Sequence, residues 1–293
     1  MEARAGSTLS ARFRLERVLA RGAFAEVWEG VDLVTTRAVA VKIPTEAVTE
    51  DAALRARFAR EAACSARLEG THVPELVATV PDADGRLAAL VYERLVGETL
   101  EARLRARGRL ALPRAIAVLA GLLRALVMAH ARGVVHRDVK PANVFLGDAG
   151  DAGDAGEAGS VHLLDFGVAR LAEEDVDHTL TSQNATLGSF PYMAPEQVSD
   201  PASVDGRADL YAAGVVAFEM LAGRTPYRAP HAAALLALKL DVDAPSIAEV
   251  TGHVLPSDVE ELVRLLLARD PDERVPSASA ALALTEALAE AMR

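Results

Sequence analysis

The sequence is poor in cysteine, aromatics and basic charge, and each shortage narrows what it can be. Cys64 is the only cysteine, so an intrachain disulfide and a cysteine-based metal cluster are both excluded. A reducing, cytoplasmic setting fits that usage, either for this chain or for a cytoplasmic part of a longer protein. Aromatic residues make up 4% of the chain while alanine is abundant, a mix that favours helix over sheet. The net charge is −11, which argues against nucleic acid or an anionic membrane as partner, since both call for a basic face. The most apolar stretch, residues 110–131, is interrupted by Arg114 and Arg124 and is read as no membrane span. The N-terminus, MEARAGSTLSARFR, lacks the apolar core of a secretion signal.

One further shortage is local. LARGAFAEVW, residues 19–28, looks like a loop that folds over phosphates, yet Gly22 is its only glycine. Such loops use glycine because a backbone without Cβ bends sharply and approaches a ligand closely. Ala20 falls in the first strand, where φ is negative and alanine is tolerated. Gly22 is placed near the tip, where freedom of φ matters most. Ala25 stands at the start of the return strand. A left-handed Ala25 would cost about 1–2 kcal/mol, whereas an extended one costs little. The expectation is the extended case, and the missing glycines imply a stiffer loop with weaker hold on its phosphates.

What the chain does contain divides in two. At 293 residues it suits one large domain or two lobes sharing a cleft. Residues 1–12 read as a flexible lead. Residues 13–94 read as a sheet-rich lobe: alternating apolar and polar residues flank Gly22, RAVAVKIP is a third strand, and two more follow around 75–80 and 87–93. One helix, EDAALRARFAREAACSARLEG, lies among them and stops at Gly70. From residue 95 to 293 long apolar helices dominate, at 112–133, 205–224 and 277–293. The class is therefore α+β, a small antiparallel-sheet lobe with one key helix and a larger, mainly helical lobe. The repeat GDAGDAGDAGEAGS, 147–160, reads as a loop insert between two short strands. Asp148, Asp151, Asp154 and Glu157 recur in it every third residue, a spacing that calcium loops do not use.

Two constellations carry chemistry. In VAVK the side chains alternate, so Ala40 and Lys42 share one strand face. In the helix, Leu54, Phe58, Glu61, Ser65 and Leu68 form one narrow stripe. A carboxylate inside a packing stripe is costly unless paired. Downstream, HRDVKPANVFL (136–146) is followed by DFG at 165–167 and APE at 194–196.

Taken in order, these motifs resemble the eukaryotic-type (Hanks-type) serine/threonine protein kinases, most similarly the bacterial branch. The resemblance runs from about Phe13 to the C-terminus. It implies a bilobal kinase fold and transfer of the γ-phosphoryl of ATP, with Mg2+, to serine or threonine hydroxyls of proteins. It pairs Lys42 with Glu61 and aims Lys42 at the α- and β-phosphates. It makes Asp138 the catalytic base and Lys140 the cation on the γ-phosphate, a serine/threonine signature. It gives Asn143 and Asp165 to the metal, in keeping with the preference of magnesium for hard oxygen ligands. His136 becomes a packing residue. Ser189 takes the small-hydroxyl position beside Asp138 and Lys140. Glu196 pairs with Arg274, and Asp209 anchors the catalytic loop.

For the nucleotide, the resemblance implies Ala20, Gly22 and Phe24 at the phosphates, with Phe24 capping the γ side. Val27, Ala40 and Phe145 sandwich the adenine, and Glu93 and Leu95 offer it backbone groups. Tyr92 closes the pocket behind it. For Val27 and Phe145 this coincides with ordinary core packing.

Arg137, before the catalytic aspartate, is a cation that a phosphorylated activation loop can neutralise. Autophosphorylation is expected on Thr179, Thr181 or Ser182. Ala142 supplies no charge that would suggest a consensus. A homodimer is one expectation for the family. The competing function is a pseudokinase, a scaffold that binds nucleotide or a partner without chemistry. The presence of Lys42, Glu61, Asp138, Lys140, Asn143 and Asp165 opposes it. A small-molecule kinase is opposed by GSFPYMAPEQ, a peptide-positioning segment.

Overall fold

The computed structural model describes residues 4–68, 70, 72–82, 84–148, 159–166, 170–171 and 189–292. The chain forms two compact units. One is the chain up to Val96 with Asp165 and Phe166, and the other is the remainder.

The first unit is an antiparallel sheet with helices. Its elements are β1 (Thr8–Leu9), β2 (Phe13–Arg21), β3 (Ala25–Asp32), β4 (Ala38–Pro44), α1 (Glu46–Glu50), α2 (Ala52–Arg67), β5 (Leu76–Pro81) and β6 (Leu87–Glu93). The strand order is β1-β2-β3-β4-β6-β5. Alternation sorts its side chains into two layers. Ala89 and Val91 of β6 join Phe13, Leu15, Trp28, Val39 and Val41 on one face. Leu90, between them, joins Val48 and Phe58 on the other, against the helices.

Helix α2 is shorter at its end than the sequence implies. Asp51 caps α2 by accepting from the N–H groups of Ala53 and Leu54. The helix ends at Arg67, with Leu68 extended. The flexible lead is corrected as well. Thr8 and Leu9 pair with Arg14 and Phe13, Leu9 is in the core, and Arg12 forms two hydrogen bonds to buried Asp32. A single apolar residue too close to the terminus to show periodicity does this.

The second unit contains β7 (Gly97–Thr99), α3 (Leu100–Arg107), α4 (Leu112–Ala131), β8 (Val134–Val135), β9 (Val144–Gly147), β10 (Val161–Leu163), β11 (Arg170–Leu171), α5 (Glu196–Ser199), α6 (Arg207–Ala222), α7 (Ala232–Asp241), α8 (Ile247–Thr251), α9 (Ser257–Leu266) and α10 (Ala278–Ala291). Strands β10, β9 and β7 make a small antiparallel sheet, and β11 pairs with β8. Among the described residues α4 is the one helix long and apolar enough to cross a membrane, and 67% of that stretch is buried within the protein. It packs against α6, α10 and β10, as the core helix of the unit. A Cβ on Gly121 would lie 2.5 Å from Val161 Cβ, so glycine is what lets α4 approach β10. Helix α6 is buried almost all round, from Ala208 to Leu221, which marks a central helix. Its first turn carries Asp209, fully buried.

Candidate active site

The predicted residues fall into three groups, described unit by unit. In the first unit the register puts them on one face of the sheet. Directly opposed residues of antiparallel strands share a face, and Ala20 opposes Val27, Val27 opposes Lys42, Lys42 opposes Leu90, and Ala40 opposes Tyr92. That is the face covered by α2. Lys42 Nζ donates to Glu61 Oε1 at 2.6 Å and to Asp165 Oδ1 at 3.1 Å. Glu61 is 4% exposed, so pairing is what makes its burial tolerable. Burial alone would lower the pKa of Lys42, but the negative charges of Asp165 and Glu61 outweigh it and raise the pKa, so the ammonium persists. Burial pushes the Glu61 carboxyl up, opposed by Lys42 and reinforced by Asp165. One cation therefore serves two acids.

A third residue joins this pair. The Tyr92 hydroxyl lies 3.3 Å from Glu61 Oε1, to which it donates, and 3.1 Å from Ser65 Oγ. Sequence reasoning saw only the bulk of Tyr92. The signal that it overlooked is the polar tip of a tyrosine at a partly buried strand position.

Two expectations for the phosphate loop change. Gly22 is not in the left-handed region, while Ala25 stays outside it as expected. Ala25 begins β3 in extended conformation. What Gly22 supplies is a tight approach: its N–H donates to Ala25 O at 2.9 Å, and a Cβ would stand 3.2 Å from that oxygen. Phe24 does not reach out as a cap. It is partly buried against the cluster of Val48, Phe58 and Leu90, with the Arg57 guanidinium 5.1 Å from its ring centroid, and Thr45 N–H holds its carbonyl at 3.0 Å. An apolar ring finds more buried contact there than in solvent. Glu93 and Leu95 are half-buried, and Glu93 Oε1 accepts from the Glu75 N–H at 3.0 Å. Phe145 belongs to the second unit, on β9, opposite Thr99 and His162.

The second group is the catalytic loop after β8. Asp209 of α6 holds its backbone. The carboxylate accepts from His136 N–H at 2.9 Å and Arg137 N–H at 2.7 Å, and contacts His130 Nε2 at 2.8 Å. Burial opposes that charge, but the hydrogen bond and charge of His130, with His136, bring the pKa below its usual value. Arg137 sits at φ 65°, a strained conformation for a non-glycine. Buried His136 accepts at Nδ1 from Asp138 N–H at 3.2 Å, which leaves Nε2 to donate to Leu164 O at 2.9 Å. Both imidazole nitrogens are therefore occupied in structure.

Held this way, Asp138 Oδ2 receives Lys140 Nζ at 2.7 Å, and the same Nζ donates to Ser189 Oγ at 2.9 Å. Asn143 Nδ2 donates to Asp138 O at 2.9 Å. The nitrogen end of Asn143 is thus spent, and its oxygen is the end offered to a cation. Asp165, at φ 60° and 43% exposed, is likewise an oxygen donor. The donor chemistry of Asn143 and Asp165 fits magnesium.

The third group is structural. Arg274 makes a two-bond pair with Glu196, at 2.6 and 2.7 Å. It also donates to the carbonyls of Ala268, Arg207 and Arg269. A buried guanidinium is stable only when its donors are met this fully. Residues Thr179, Thr181 and Ser182, with most of the 147–160 insert, lie outside the described residues.

Comparisons with known proteins bear on the same groups. Residues 13–285 match the family described as protein kinase domain. The chain belongs to the protein kinase family.

Bacterial kinases are among the proteins this kinase is similar to. It is 36% identical over 283 residues to serine/threonine-protein kinase PknL of Mycobacterium tuberculosis, covering 96% of this chain and 67% of PknL. It is 35% identical over 284 residues to serine/threonine-protein kinase PknA of the same species, covering 94% of this chain and 61% of PknA. In structure it is similar to the crystal structure of the M. tuberculosis PknI kinase domain, with a TM-score of 0.71, 26% identity, and coverage of 98% of this chain and 99% of that one. The kinase is thus a protein serine/threonine kinase, and its α+β architecture is that of the family.

Proposed function

We propose that this kinase transfers the γ-phosphoryl of ATP, with Mg2+, to serine and threonine hydroxyls of proteins, and that its own activation loop is one acceptor. The observation that carries the reading is the bridge from Lys140 Nζ to both Asp138 Oδ2 and Ser189 Oγ. It ties a base, a cation and the small hydroxyl of the peptide-positioning segment into one unit. Lys42, charged and oriented by Glu61, supplies the cation for the α- and β-phosphates.

The step asks little covalent chemistry of the protein. A substrate hydroxyl donates its hydrogen bond to Asp138, and its oxygen forms a bond to the γ-phosphorus. The bond from that phosphorus to the bridging β-oxygen breaks, ADP leaves, and the hydroxyl proton passes to Asp138. Lys140 balances charge on the transferred group. Asn143 and Asp165 would hold magnesium, which supplies charge neutralisation on the phosphates. A cytoplasmic location follows from the need for ATP.

A pseudokinase would bind nucleotide without transfer. Incubation with labelled ATP and Mg2+ separates the two, with wild type, Asp138→Asn and Lys42→Met in parallel. Strong labelling of wild type alone is expected, with phosphate in the 168–188 peptide. Equal labelling of all three would overturn the proposal.

A further inference from the structure

The segment from Ser189 to Ala194 is held at several points, and one of them belongs to no motif. Ser189 Oγ meets Lys140. The Tyr192 hydroxyl donates to Glu219 Oε2 at 2.6 Å. Ala194 N–H donates to Gln197 Oε1 at 2.9 Å. The remaining tether comes from α7. Lys239 Nζ donates to Pro191 O at 2.6 Å and to Met193 O at 2.7 Å, and it lies 5.2 Å from the centroid of the Tyr211 ring.

Lys239 is 1% exposed. Long cationic side chains normally keep the ammonium in water, and those that are fully buried are normally paired with a carboxylate. Among the described residues no carboxylate forms an ion pair with Lys239. The ammonium has three N–H groups. Two are taken by carbonyls of alternate residues in the segment, and the face of Tyr211 receives the remaining charge. Proline at 191 has no N–H, and the carbonyls on either side of Tyr192 turn inward toward α7. The buried Lys239 nitrogen therefore dictates which way this backbone faces, and with it the direction in which Tyr192 leaves the segment.

The cost of burying that charge is borne for the sake of this geometry. An apolar residue at 239 would fill the same space more cheaply, but it would leave two carbonyls without a donor.

We propose that Lys239 is a positioning residue for protein substrates: it fixes the backbone of 189–194, the segment that receives the acceptor peptide, and so sets how well a peptide binds without acting on ATP. This rests on the functional reading above, and the test keeps the two apart.

Wild type, Lys239→Met and Lys239→Gln are compared as full chains on a degenerate peptide pool with one fixed serine. The expected result is a rise of about tenfold in the apparent KM for peptide in Lys239→Met, a smaller rise in Lys239→Gln, and a KM for ATP within about twofold of wild type in both. Lys239→Gln keeps an NH2 group on a shorter arm, so it carries the comparison alone if the Met variant fails to fold. Hydrogen exchange at the amides within 190–194, Pro191 having none, is measured in parallel and needs no catalysis. Faster exchange there in the variants is expected. An unchanged peptide KM, a KM for ATP rising in step with it, or unchanged exchange at 190–194 would each overturn the role of Lys239. A wild type that phosphorylates no peptide overturns the functional reading instead, and the exchange result still decides Lys239.

Discussion

Asp209 holds Arg137 in a conformation that Arg137 would not choose. The Asp209 carboxylate accepts the Arg137 N–H at 2.7 Å while the residue sits at φ 65°. A non-glycine residue there costs about 1–3 kcal/mol and persists only when its surroundings over-determine it. Asp209→Asn replaces one acceptor oxygen with an NH2 group facing donors. A stability loss of about 2–4 kcal/mol is expected, with kcat falling more than tenfold and the KM for ATP little changed. Urea unfolding and steady-state kinetics check this. A kcat within twofold of wild type would mean the loop keeps its shape unaided.

Tyr92 makes a subtler contribution. Its hydroxyl donates to Glu61, the acid that orients Lys42. Tyr92→Phe keeps the ring and removes only that bond and the contact with Ser65. The net value of such a bond is about 0.5–1.5 kcal/mol, so a two- to tenfold rise in the KM for ATP is expected. Kinetics at saturating peptide read it directly. A variant with unchanged KM for ATP and only a lower melting temperature would show that Tyr92 supports packing and leaves Lys42 undisturbed.

These two residues mark what the sequence made legible. Asp209, Glu61 and Lys42 were readable because each needed a partner whose position followed from strand alternation, helix spacing or motif order. The hydroxyl of Tyr92 was not, because its partners Glu61 and Ser65 lie about 30 residues away on another element. Helices α2, α4, α6 and α10 were visible from long apolar patterns. Helices α1, α3, α7, α8 and α9 are 5 to 10 residues long, too short for periodicity to distinguish them from loop. Lys239 sits four residues after Leu235 on the buried side of α7, so helical spacing alone could have flagged it. Which backbone it meets depends on the path of residues 189–194, and no local rule supplies that.

The same lysine makes a prediction about pH. Burial depresses its pKa to about 7, while the two carbonyl dipoles and the face of Tyr211 favour the charged form. The groups near it are those carbonyls and Tyr211, whose ring centroid also lies 5.0 Å from the guanidinium of Arg274, itself paired with Glu196. An unfolded lysine titrates near 10.5. Between the two values the unfolded chain binds a proton that the folded chain lacks, so this residue makes stability rise with pH. The unfolding free energy of wild type relative to Lys239→Met should therefore increase by about 1–3 kcal/mol from about pH 6 to about pH 9. Urea titrations of both proteins at each pH measure it. A constant difference would mean that Lys239 keeps its proton throughout.

Phe24 offers the sharpest choice between two readings of the phosphate loop. As a cap over the γ-phosphate it would serve ATP binding and contribute little to the free protein. As found, it is a partly buried ring on Val48, Phe58 and Leu90 beneath the Arg57 guanidinium. Phe24→Ala should then destabilise the protein by about 1–3 kcal/mol through lost apolar burial and the cation–π contact, and raise the KM for ATP by less than about threefold. Ala25→Gly is the companion test. Ala25 is extended and 9% exposed, so glycine there relieves no strain and costs about 0.5–1 kcal/mol. Any change in that variant should appear in the KM for ATP before kcat, because the altered backbone belongs to the loop and to no residue that moves a proton. A large rise in the KM for ATP in Phe24→Ala, with stability intact, would restore the capping role and show that the ring leaves α2 when nucleotide arrives.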